Sequence, residues 1–172
     1  MAADSSFNEI QVLQRAVDRG DRVISLDGLT STSAKAYVLS RLSAGERTVV
    51  IVADTNSSLD DWEADLQFWT RERESRVACL PSFDTDVYSG GSPHAETLER
   101  RALSLWQLSR SKPEFVVLSA RSLVTRTVKP QELENLGADL NVDEDTSPDE
   151  LVERLASAGY VREDPIGGVG QF

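Results

Sequence analysis

Cysteine and histidine are each represented once in the 172 residues, by Cys79 and His94. No disulfide framework can form within the chain, and no second sulfur or imidazole stands near His94 to complete a zinc site. Cys79 lies in the apolar run Val77-Ala78-Cys79-Leu80, which marks it as a buried structural thiol rather than a nucleophile. No apolar run approaches the roughly 20 residues of a membrane span. The opening Met-Ala-Ala-Asp-Ser-Ser lacks the basic start and apolar middle of a signal peptide, so a cytoplasmic setting is expected. Basic residues are also scarce. Eighteen Lys and Arg face 29 Asp and Glu, for a formal net charge of −11. That balance argues against a general nucleic-acid binder, because phosphate backbones reward basic surfaces. It suits solubility, or a protein partner with a basic patch.

What is present is a globular alternation. Residues 5–19 place Phe7, Ile10, Leu13 and Val17 at helical spacing. Arg22 to Leu26 is a short β-branched run, followed by a small-residue turn from Asp27 to Ser33 and a helix from about Ala34 to Leu42. Thr48 to Ala53 reads as a strand covered on both faces. A helix beginning near Thr55 to Ser58 carries Leu59, Trp62, Leu66 and Trp69 on one face. Arg76 to Leu80 and Phe115 to Leu118 read as further strands, separated by a long helix with a Ser92 cap and Pro93 at its first position. The three tryptophans, Trp62, Trp69 and Trp106, have core spacing. This rhythm predicts an α/β fold, a mostly parallel sheet with helices on both faces.

The composition changes after about Arg126. Lys129 to Asp145 is polar and acidic, with a strand expected around Ala138 to Val142. Ser147 and Glu150 have the spacing of a capping box, and Leu151, Val152, Leu155 and Ala158 form the buried side of the helix that follows. Tyr160 to Glu163 reads as the next strand. The Gly-rich turn before Gln171-Phe172 leads to no visible pairing strand, so a fragment of a longer protein is expected. The division expected is residues 1–126 as one domain and 127–172 as the start of a smaller α+β domain.

Strand, Gly-led turn and helix with an early Lys describe a phosphate loop in outline. The working pattern is G-x-x-x-x-G-K-[ST], in which the second Gly lets the backbone wrap phosphates, the Lys reaches the outer ones and the hydroxyl holds magnesium. Here the order is Gly28-Leu29-Thr30-Ser31-Thr32-Ser33-Ala34-Lys35-Ala36. The second Gly is missing, the distance from Gly28 to Lys35 is one residue too long, and Ala36 replaces the hydroxyl. No acidic pair follows either strand to hold a metal from the other side. Gly28, Thr30 and Lys35 are therefore read as a degenerate, non-functional nucleotide loop. Asp84 and Asp86 flank Thr85 as turn formers, and Glu96, Glu99, Arg100 and Arg101 read as a solvated, salt-bridged helix face. No catalytic or metal-ligating set assembles.

Several stretches occurring in a fixed order carry a family resemblance. They are Gly28-Leu29-Thr30 with Ala34-Lys35-Ala36, Leu80 to Tyr88, Ser92-Pro93-His94, Glu99 to Leu105, Val116 to Leu123, and Leu155 to Tyr160 followed by Arg162. From about residue 10 to its end the chain resembles the amino-terminal region of bacterial transcription-repair coupling factors (Mfd), a region itself similar to the start of the excision-repair protein UvrB. The resemblance implies a degenerate helicase-like first domain with a decayed nucleotide site, followed by the beginning of an inserted domain that docks on UvrA. It implies that ATP, magnesium, RNA polymerase and DNA belong to motor and other parts of the parent absent here, and that this segment is not itself an enzyme. It assigns partner contact to Tyr160 and Arg162 in the step Tyr160-Val161-Arg162, and to the aromatic position at Phe172. The alternatives are a nucleotide-dependent enzyme domain of phosphate-loop type and a purely structural α/β domain.

Overall fold

The computed structural model describes residues 3–42, 47–73, 75–85, 88, 90–168 and 170–172, with side chains from residue 9 onward. Ten elements follow in order: α1 (Ala3–Arg19), α2 (Thr32–Leu42), β1 (Val49–Ala53), α3 (Leu59–Thr70), β2 (Val77–Leu80), α4 (Ala95–Arg110), β3 (Phe115–Ser119), α5 (Ala120–Leu123), α6 (Pro130–Leu136) and α7 (Pro148–Ser157). The three strands form one all-parallel sheet in the order β1-β3-β2. β3 is central and buried along its whole length, as its uninterrupted Phe-Val-Val-Leu-Ser sequence requires.

Strand alternation assigns the two faces. Ile51, Cys79, Phe115 and Val117 point to one side, where they pack with Ala36 of α2 and Leu59 and Leu66 of α3. Leu80, Val116 and Leu118 point to the other side, against Leu105 and Leu108 of α4. The helices thus lie on both faces, as expected. The path from β1 over α3 to β2 passes across β3, and α4 returns on the opposite face to β3, so both crossovers keep one hand.

The Arg22–Leu26 run departs from expectation. It forms no strand, and Val23 is 85% exposed. β1 pairs only with β3 among the described residues, and this run does not extend the sheet along the other edge of β1. It meets no ladder partner among the described residues, and a β-branched sequence alone does not hold a strand. The same edge corrects the reading of β1 as covered on both faces. Val50 and Val52 are 56% and 53% exposed, while Ile51 and Ala53 are buried.

Two helix starts differ from those the sequence pattern suggests. α2 begins two residues earlier than Ala34, because the Ser31 hydroxyl accepts the Ala34 N–H at 3.2 Å. α4 begins at Ala95, with Leu98 N–H donating to the His94 carbonyl at 3.1 Å, so Ser92 does not cap it. Ser147 does stand at the N-cap of α7, but its side chain makes no cap bond, so the expected reciprocal box is absent. Leu151, Val152, Leu155 and Ala158 are half-buried.

No strand forms over Ala138 to Val142. Instead α6, absent from the sequence reading, opens at Lys129-Pro130 with proline in its first turn and packs on α4. Gly137 closes the contact by lying flat against the indole of Trp106, where any Cβ would sit 1.9 Å from Nε1.

Candidate functional site

Residues 27–36 comprise the turn at Gly28 and the first residues of α2. Gly28 adopts φ +83°, a conformation that favours glycine, and its N–H is held by the Asp27 carboxylate at 2.7 Å. A carboxylate on that N–H occupies the donor that a phosphate would need. Thr30 is exposed. Lys35 is exposed on α2 and makes no ion pair among the described residues. The next position, where a magnesium-binding hydroxyl would stand, is Ala36, fully buried in the core between α2, α3 and the sheet. No group of three His, Cys, Asp or Glu residues able to hold a metal occurs among the described residues.

The far end of the chain forms a small closed unit. The Val161 N–H donates to the Gly170 carbonyl at 2.8 Å, Phe172 N–H to the Val161 carbonyl at 3.0 Å, and Glu163 N–H to the Phe172 carbonyl at 3.0 Å. Gln171-Phe172 therefore does have a partner, the Val161–Glu163 stretch, which it joins in parallel through one bridge. This corrects the expectation of an unpaired end, and it reduces the expected Tyr160–Glu163 strand to that bridge. The turn between is tied by the Gln171 side-chain carbonyl, which accepts from Gly167 and Gly168 N–H at 2.6 and 2.8 Å, while its amide donates to Glu163.

Tyr160 and Arg162 flank Val161, the residue that bridges to Gln171. Both are exposed, and the pairing brings half-buried Phe172 beside them along the backbone. The three residues assigned to partner contact thus share one short ribbon, whereas Gly28, Thr30 and Lys35 occupy the connection before α2. Arg162 has no side-chain partner among the described residues, so its guanidinium is available to an incoming acceptor.

Sequence spacing missed a polar clasp at the carboxyl ends of the strands. Asn56 donates to the Ser82 carbonyl at 2.7 Å and accepts the Ser82 N–H at 2.8 Å. Ser122 donates to the Leu80 carbonyl at 2.8 Å, and Ser104 to that of Cys79. Arg101, expected on a solvated face, is only 3% exposed. It donates to the Pro81 carbonyl at 2.7 Å, lies over Phe83 at 4.9 Å, and leaves Nη2 without a partner. Burial pulls its guanidinium below the ordinary arginine value. Its neighbour Arg100 does form salt bridges, but across to Asp60 and Glu63 of α3 rather than along its own helix. Cys79 is buried as expected, and burial first, then Glu63, pushes its thiol up to about 12.

The tryptophans divide. Trp62 packs against the core, Trp69 is 41% exposed and stacks edge-on with Tyr37 at 4.8 Å, and Trp106 is half-buried under Arg110. Asp84 is exposed, and Asp86 lies outside the described residues.

No protein-family model matches the chain. Individual relatives do. It is 30% identical to the transcription-repair-coupling factor of Mycobacterium tuberculosis over 169 residues, 94% of this chain and 13% of that protein. The identity is also 30% to the Myxococcus xanthus factor of the same name over 146 residues, 81% of this chain and 12% of that protein. The Staphylococcus aureus factor is 19% identical over 165 residues. The chain spans about an eighth of the length of the curated relatives it matches.

Proposed function

From the chain's membership of the transcription-repair-coupling factor family, we propose that it is a non-catalytic recruitment module, which brings the excision-repair protein UvrA to RNA polymerase stalled on damaged DNA. In this reading the whole factor is an ATP-driven DNA translocase, and its ATP, magnesium, polymerase and DNA contacts lie in other parts of the polypeptide. The observation that carries the reading is the contrast between two positions. Ala36, where a magnesium ligand would be needed, is sealed in the core, while Tyr160 and Arg162 stand free on an exposed ribbon.

The chemistry of each end agrees with that contrast. The Asp27 carboxylate, which already accepts the Gly28 N–H, disfavours a phosphate at the turn that leads into α2. The Gly28 to Ala36 segment then serves as a structural connection, a relic of a nucleotide loop with Lys35 as its remnant. On the ribbon, an exposed aromatic with an unpaired arginine two residues on offers apolar area and a five-donor fork, the residue types favoured where binding energy concentrates. The Gln171 side chain, which accepts from the Gly167 and Gly168 N–H groups, helps to order the ribbon beforehand, which lowers the ordering cost of docking.

Calorimetry with two titrants tests this directly. UvrA should give a saturable heat, and ATP with magnesium should give none and leave the melting temperature unchanged. A micromolar dissociation constant for ATP would contradict the reading and favour a working nucleotide domain. Silence with both titrants would leave a purely structural domain.

A further inference from the structure

A second recessed surface lies at the opposite end of the sheet from the clasp around Ser82. A cleft of about 550 Å³ opens over the start of β2, with Val77 and Ala78 at its base. α3 and α4 cover opposite faces of β2, so a cleft touching Gln67 of α3 and Gln107 of α4 runs across the outer edge of the sheet. Arg76, Arg110 and Asp139 also line it.

The charges around this cleft nearly all cancel in pairs. Arg110 is bound by Asp139 and rests on the Trp106 ring at 4.8 Å. Glu114, which accepts from Ser75 at the rim, is held by Arg73 at 2.9 Å. Arg76 alone has no carboxylate partner among the described residues. Among the described lining residues Arg76 is thus the one cation left uncompensated, in a chain whose net charge is −11. The two glutamines face it from different helices, and each amide offers both a donor and an acceptor, the pair that a peptide unit presents in return. Small-molecule pockets are mostly apolar with a few polar groups. Here the polar side chains predominate, which favours a peptide over a compact organic ligand.

We propose that this cleft is a docking site for an extended acidic peptide segment, with a side-chain carboxylate on Arg76 and the peptide backbone between Gln67 and Gln107. The site is separate from the Tyr160–Phe172 ribbon and does not depend on the reading given to that ribbon.

The test is fluorescence anisotropy on the 172-residue chain with a fluorescein-labelled octapeptide of alternating Glu and Ser, beside its Lys and Ser counterpart. The field of a chain with this net charge repels the acidic probe and attracts the basic one, so non-specific attraction favours the wrong peptide. Saturable binding of the acidic peptide alone is expected. Arg76→Gln, at an exposed position, should weaken it about tenfold, the loss of one charge-assisted contact. Arg121→Gln should leave it unchanged, because Arg121 follows the carboxyl end of β3 and lies at the other end of the parallel sheet. The proposal is overturned if the acidic peptide does not saturate, if Arg76→Gln binds as well as the parent, or if succinate displaces the peptide at equal concentration.

Discussion

Substituting Gly137 by alanine adds a single methyl group, and the contact with Trp106 sets its effect. Gly137 has φ −91° and ψ 157°, a conformation open to any residue, so the backbone itself resists nothing. The new Cβ, however, would lie 1.9 Å from Nε1, 2.4 Å from Cδ1 and 2.7 Å from Cε2 of Trp106. Ordinary contact needs about 3.5 Å, so the ring or α6 must move by roughly 1.5 Å. The ring is stacked beneath Arg110, which Asp139 holds in turn, so neither side yields freely. Overpacking of this kind costs about 1–3 kcal/mol. Loss of chain entropy in the unfolded state returns about 0.4–1 kcal/mol. The midpoints of these ranges leave about 1.3 kcal/mol of destabilisation, or a fall of about 3–5 °C in melting temperature for a chain of this size. Differential scanning calorimetry measures it, and hydrogen exchange should show α6 amides losing protection. In a Trp106→Ala background the clash is gone and only the entropic gain remains, so the same Gly137→Ala change should become stabilising. An unchanged melting temperature in the parent, or the same sign in both backgrounds, would refute the packing argument.

Two further changes probe the interior. Asn56→Ala removes all three bonds to Ser82, a buried residue, and should cost about 2–4 kcal/mol as a lower urea midpoint. The Cys79 thiol is raised from 9.0 to about 12, so the folded state favours the neutral form. Its contribution is complete below pH 9 and is withdrawn as pH rises toward 12. Urea titrations across that window should show a loss of stability that is reduced in Cys79→Ala. Below pH 9, thiol labelling should track unfolding rather than proceed in the native state.

The sequence was most legible where apolar runs are continuous. Val49–Ala53, Val77–Leu80 and Phe115–Ser119 could be placed because a buried parallel strand tolerates few polar residues, and helices between them imposed the parallel order. Leu59 and Leu66 were readable by their spacing. What failed depended on neighbours. Val23, Ile24 and Leu26 have strand chemistry, but a strand needs a ladder partner, and nothing in those five residues announces that one is missing. Arg101 carries a charge that composition assigns to solvent; only the fold reveals the Pro81 carbonyl and Phe83 ring above which it is enclosed. α6 is seven residues long in an acidic stretch, and its one signal, Lys129-Pro130 ahead of Leu133 and Leu136, was outweighed by the surrounding polarity. The residues proposed for partner contact were nameable only through resemblance, since Tyr160 and Arg162 show no periodicity that separates them from ordinary surface. Their common ribbon with Phe172 arises from hydrogen bonds that no spacing rule encodes.

Under the proposed function UvrA docks on the ribbon and not on the turn at Gly28, and a pair of substitutions separates the two. UvrA affinity should be measured by biolayer interferometry for the chain carrying Arg162→Ala or Lys35→Ala, and for both changes in the complete factor. Arg162→Ala should weaken binding about tenfold or more, as loss of an interface arginine does, while Lys35→Ala leaves it unchanged. Undiminished affinity with Arg162→Ala, or a loss that follows Lys35→Ala instead, would contradict the claim.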